Sequence, residues 1–184
     1  MSQPRPRYEP PKPLLKLPPK EVLACVVTVS LLTIILLPVF RQAQDMGRQA
    51  SCSSNLRSRS NALLQYATDN DGNLPPASQW QTVSSNYLKE EKGSCPSLSH
   101  SVPSVLGYAM DSRLSSRSLE KIGAPHETRV LLYESSNLTP NANDPGISFT
   151  VRHGYASIAF VDGHVKMYEQ EPGEQLVRKG ILAP

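Results

Sequence analysis

The sequence predicts an α+β fold in which one long N-terminal helix, half transmembrane and half exposed, packs on a small antiparallel β-sheet head. Three observations predict it. Residues 22–40 (VLACVVTVSLLTIILLPVF) carry no charge. An amphipathic, helix-periodic stretch follows and stops abruptly at Asp69-Asn70-Asp71-Gly72. Near the C-terminus, two β-rich runs flank Asp162-Gly163.

The elements divide the chain into residues 1–20, 21–40, 41–68 and 69–184. Seven of the 17 prolines fall within the first 20 residues. Each proline removes a backbone donor and restricts the residue before it, so this stretch reads as a disordered tail. Arg5, Arg7, Lys12, Lys16 and Lys20 stand there against Glu9, which makes the tail basic. Over the whole chain, 19 basic and 16 acidic residues leave a formal charge of +3. That balance gives no sign of a nucleic-acid partner.

The 19 residues 22–40 rise about 28 Å as a helix at ~1.5 Å each, close to the ~30 Å hydrocarbon thickness of a bilayer. Only Thr28, Ser30 and Thr33 interrupt the apolar run, whereas the core helix of a water-soluble domain keeps a polar stripe. A cleaved secretory signal would be shorter and would end in a small-residue site, but Pro38-Val39-Phe40-Arg41 stands there. The lipid bilayer is therefore the expected partner, with the segment retained. Basic residues before the span slightly outweigh Arg41, Arg48, Arg57 and Arg59 after it, favouring an N-terminus inside.

Beyond Arg41, the residues Met46, Ala50, Ser53, Leu56, Ser60, Leu63, Leu64 and Ala67 recur every three or four positions and mark one helix face. The helix is expected over residues 21–68. Turn formers and Pro75-Pro76 then end it. Residues 79–88 read as a second helix, 104–111 as extended, and 129–134 and 148–151 as strands. Residues 156–161 and 164–168 form a hairpin on a two-residue Asp162-Gly163 turn, whose central positions call for positive φ. Cys52 and Cys95 lie in the polar part. If that part is outside the cytoplasm they can pair, closing a loop of roughly 43 residues; the alternative is two free buried thiols.

Four stretches, in order, resemble the prepilin-type proteins with an N-terminal methylation segment of planctomycete-type bacteria, a group similar to type IV pilins and type II secretion pseudopilins. Glu21 precedes an apolar run ending Leu36-Leu37-Pro38. Ser51-Cys52-Ser53-Ser54-Asn55-Leu56 resembles the Cys-x-x-Asn-Leu after the membrane part. Tyr66-Ala67-Thr68-Asp69-Asn70-Asp71-Gly72-Asn73-Leu74-Pro75-Pro76 resembles Tyr-x-x-Asp-Asn-Asp-Gly-x-x-Pro-Pro. Arg152-His153 with Phe160-Val161-Asp162-Gly163-His164-Val165-Lys166 resembles the processing-associated His…Asp-Gly-His-Val motif.

The resemblance implies a pilin-like fold and a single-pass protein of the inner membrane. Its N-terminus would lie in the cytoplasm and its head in the periplasm or outside, and it would assemble with itself or with other pilin-like subunits. It gives Glu21 a role in pairing with the freed amine of a neighbouring subunit; the alternative is an interfacial carboxylate balanced by Lys20. Two departures stand out. Lys16 occupies the place of the glycine at the peptidase site and is followed by the stiff Leu17-Pro18-Pro19, so the chain is expected to stay unprocessed. Eight residues, rather than nine, separate His153 from Asp162.

No catalytic, cofactor or small-molecule site is expected. Aligning Gly72 with the sixth position of an EF-hand puts Ala67 first and Ser78 twelfth, and neither suits calcium. His153, Asp162 and His164 contain metal-ligand types, but an Asp in a tight turn serves its own backbone. Ser148, His153 and Asp162 lack a nucleophile elbow. A second reading, from a different class, is an unprocessed membrane anchor presenting a ligand- or protein-binding head.

Overall fold

The computed structural model of the chain describes residues 18–88, 94–96, 98, 105–123, 125–152 and 154–169. The basic tail expected over residues 1–20 lies almost wholly outside them. Two units divide at Gln42, Met1–Gln42 and Ala43–Pro184.

Helix α1 runs from Pro19 to Asp69 over 51 residues. It starts two residues earlier than expected, because proline suits a first helical turn, where its missing N–H needs no partner. The Pro18 carbonyl accepts from the N–H groups of Glu21 (3.0 Å) and Val22 (3.3 Å). In the first unit every described residue is exposed. Thr28, Ser30 and Thr33 return their hydroxyls to the carbonyls of Ala24, Val26 and Val29 at 2.8–2.9 Å. The polar interruptions of the apolar run are thus satisfied inside the helix, as a hydrocarbon setting would require. Pro38 lies within the helix and deprives the Ile34 carbonyl of its usual donor.

In the second unit α1 buries Cys52, Leu56, Arg59, Ser60, Ala62, Leu63 and Ala67. The predicted face is correct from Leu56 onward but not before it: Met46 is 56% exposed, and Cys52 is the first residue of the core. The helix ends as predicted, with Asp71 (φ 55°) and Gly72 (φ 75°) turning the chain and Gly72 N–H donating to the Ala67 carbonyl at 2.8 Å.

The head sheet has five strands: β1 Tyr108–Asp111, β2 Val130–Glu134, β3 Asn143–Asp144, β4 Tyr155–Phe160 and β5 Val165–Glu169, in the order β3-β1-β2-β4-β5. Helices α2 (Trp80–Tyr87) and α3 (Leu119–Ile122) complete it. Three strand pairs are antiparallel, as expected, but β3 joins β1 in parallel and makes the sheet mixed. Two polar residues carry no strand signal of their own; Met110 N–H, donating to Ala142 O at 3.0 Å, draws them to the edge.

Leu56, Leu63 and Ala67 of α1 pack with Tyr108, Met110, Leu131, Leu132 and Ala159 in one core cluster. Ala109, Val130, Tyr133, Ile158 and Phe160 form a second cluster with Ala142 and Phe149. Burial in both clusters explains why β2 reads as an unbroken apolar run rather than an alternation. A register shift between Val130 and Leu132 lets the consecutive Leu131 and Leu132 both join the first cluster.

Two expectations are corrected. Residues 148–151 form no strand; they make a single bridge, Ser135 to Phe149, because the Asp144 carboxylate captures the N–H groups of Gly146 (2.9 Å) and Ser148 (3.2 Å) and curls the chain into a loop. The hairpin turn is also longer than two residues. The last paired positions are Ala159 and Val165, Gly163 N–H donates to Phe160 O at 2.9 Å, and only Gly163 has positive φ (87°). This is the wider, type I-based hairpin connection with glycine in the left-handed position.

Candidate functional site

The motif residues gather on α1 and the elements packed against it in the head. Cys52 and Cys95 are bonded, with Cα atoms 5.0 Å apart, and both are fully buried. Around the bond, Asn55 donates to Ser94 O at 3.4 Å and the Tyr108 hydroxyl donates to Cys52 O at 3.2 Å. The Cys-x-x-Asn stretch therefore ties a loop and a strand to one turn of the helix. Burial pushes the Tyr108 phenol well above its ordinary pKa, with Glu134 adding to the effect. The hydroxyl serves as a neutral donor.

Asp69, Asp71 and Gly72 form the helix stop, which is stitched to the segment before α3. Leu119 N–H donates to Gly72 O at 2.8 Å and Leu74 N–H to Arg117 O at 2.9 Å. Asn73 Nδ2 donates to Asn70 O and Asp71 O, so the loop's amides work on backbone.

At the hairpin turn Asp162 accepts from the His164 backbone at 3.1 Å and faces the ring Nδ1 at 2.5 and 2.7 Å. Burial is the largest single influence and raises the Asp162 carboxyl, but the His164 contacts together outweigh it and hold the pKa below the ordinary range. The His164 ring stacks on Phe160 with centroids 4.4 Å apart. A Cβ on Gly163 would stand 3.2 Å from Asn61 Oδ1 and 3.3 Å from Leu64 Cδ1, so the glycine is where the hairpin reaches α1. Asp162-Gly163-His164 thus serves as a docking turn.

His153 lies outside the described residues. Among the described residues no group of three or more His, Cys, Asp or Glu side chains could hold a metal ion. Ser148 is engaged with Asp144 and, at 2.5 Å, with Ser135. Glu21 lies in the first turn of α1 and Pro38 nineteen residues above the helix start, both exposed.

Three features escaped the sequence reading. Asp144 accepts from Tyr133 Oη at 2.5 Å and from Ser148; burial works against its charge, and these bonds still hold its pKa low. Glu134 is 1% exposed, and its Oε1 accepts from Ser157 N–H at 3.1 Å. Burial raises its pKa, only partly countered by Ser157 and the Arg152 guanidinium. Arg152 itself donates to the carbonyls of Gly107 (2.9 Å) and Ser135. The third feature is a cavity of about 190 Å³ between β1, β2 and α3, walled by arginines. The Glu134 and Arg152 contacts join residues 17 to 45 positions apart, and no local spacing announces them.

Together these observations define a chain with, among the described residues, one helix long and apolar enough to cross a membrane, carrying a disulfide-bonded α+β head. No protein-family model, curated protein or solved structure matches it.

Proposed function

We propose that the chain is a structural protein of the pilin or pseudopilin type. Its N-terminal helix is anchored in a bacterial inner membrane and assembles with like helices, and its head stands outside the cytoplasm. The observation that carries this reading is α1: the same helix that is fully exposed over its apolar residues 22–40 also forms part of the head's core from Cys52 onward. An apolar surface of that length needs lipid or other helices around it. The Cys52–Cys95 bond supports an oxidising compartment for the head. The proposed role is structural rather than catalytic.

Crosslinking tests it. With Cys25 replaced by serine, a cysteine at Val26 or at Leu32 should give crosslinked dimers in native membranes, and cysteines at both positions together should give ladders. A protein that crosslinks nowhere along residues 22–40, or that is recovered monomeric without detergent, is not pilin-like.

Lys16-Leu17-Pro18-Pro19 favours a second reading, an unprocessed single-pass anchor presenting a binding head. Without cleavage no amine is freed to meet Glu21, and a carboxylate at the membrane edge stays costly. Mass spectrometry of the N-terminus separates the two: a chain beginning at Leu17 supports assembly, and one retaining residues 1–16 supports the anchor.

A further inference from the structure

Arg113, Arg117 and Arg129 line the 190 Å³ cavity together with one carboxylate, Asp111. Three guanidiniums against one carboxylate leave a local charge of +2, in a chain whose total is only +3. Asp111 is spoken for: it accepts from Arg113 N–H at 2.9 Å, from Nε at 2.9 and 3.1 Å, and from Nη2 at 2.5 Å, and its side chain is 5% exposed. Neither Arg117 nor Arg129 has an ion-pair partner among the described residues.

The arginines also stand on fixed backbone. Val161 N–H donates to Arg129 O at 2.9 Å and Leu74 N–H to Arg117 O at 2.9 Å, so one is pinned to the end of β4 and the other to the helix stop. Buried Leu114 and Ile122 supply an apolar wall. The three side chains themselves are exposed, so their guanidiniums are open to solvent-borne ligands, and each carries a planar donor fork suited to oxyanions that a lysine lacks. The volume sets the ligand's size, since it falls below the ~300 Å³ at which pockets for drug-sized molecules begin.

We infer that this cavity is a binding site for a small soluble dianion, a phosphate or short dicarboxylate, held by Arg117 and Arg129 with Arg113 braced by Asp111. The inference is independent of how the chain is anchored or assembled.

Calorimetric titration of inorganic phosphate, and separately of succinate, into the full-length protein in detergent at constant ionic strength tests it. Saturable binding of at least one is expected, weakened about tenfold or more in R117Q and in R129Q, and unchanged in R57Q on α1. R117K and R129K, which keep the charge but lose the fork, should bind with intermediate affinity. A melting curve for each variant identifies loss of fold; should R129Q unfold, R117Q, on an exposed segment, reads the same site. Absence of saturable heat with both anions in the unmodified protein overturns the inference, as does binding that R117Q and R117K leave untouched.

Discussion

Gly163 meets Asn61 so closely that a single added methyl would stand 3.2 Å from the Asn61 amide oxygen. Two demands coincide at this glycine, a positive φ of 87° and a neighbouring helix. Left-handed backbone alone costs a residue with a side chain about 1–2 kcal/mol. Gly163→Ala is therefore expected to destabilise the head by about 1–3 kcal/mol. Gly154, with φ 75° and nothing within 4 Å, isolates the backbone cost. Urea unfolding of the full chain in detergent should place Gly163→Ala below Gly154→Ala; equal midpoints would mean that the contact with α1 contributes nothing.

The Cys52–Cys95 bond spans 43 residues. In the chain-entropy account, closing such a loop stabilises the fold by about 4 kcal/mol. Cys95→Ser should lower stability by an amount of that order, and thiol alkylation of the unreduced native protein should modify Cys25 alone. Labelling of Cys52 without reductant would show that the bond is absent.

Trp80 is fully buried, and its Nε1–H donates to Ala142 O at 2.8 Å, across 62 positions. Ala142 O also accepts from Met110 N–H, so it keeps a partner when the indole is removed. Trp80→Phe is expected to cost about 1–3 kcal/mol from the lost bond and the reduced volume. Amide hydrogen exchange should quicken first in Asn143 and Asp144, which that carbonyl holds at the sheet edge. Uniform exchange across the head would argue against this local role.

Burial raises the Glu134 carboxyl above the ordinary carboxylate range. The folded state therefore binds the proton more tightly than the unfolded state, and stability falls as pH rises from about 4.5 toward the folded pKa. Asp144 and Asp162, with lowered values, act in the opposite sense: their contribution is present at neutral pH and is lost on acidification. Glu134→Gln keeps an acceptor for Ser157 and removes the ionisation. Denaturation midpoints between pH 4 and 7 should show the variant gaining on the parent as pH rises. A constant difference between the two proteins across that range would contradict the assignment.

Much of the fold was legible from residue order. The uncharged residues 22–40, the helix stop at residues 69–76, the apolar run of β2 and the Asp162-Gly163 hairpin all announce themselves through periodicity or turn chemistry. These signals are carried by neighbours a few positions apart, and local sterics and hydrophobicity suffice to write them.

Only the tertiary structure decided the rest. That β3 joins the edge in parallel depends on Ala142 meeting Met110 and Trp80, 32 and 62 positions away. That three arginines face one cavity depends on where β1, β2 and the segment before α3 converge. Periodicity records which face of an element is apolar but not what that face or its loops will meet. Those meetings are set by packing between residues tens of positions apart, where burial and unpaired polar groups select one arrangement of the chain.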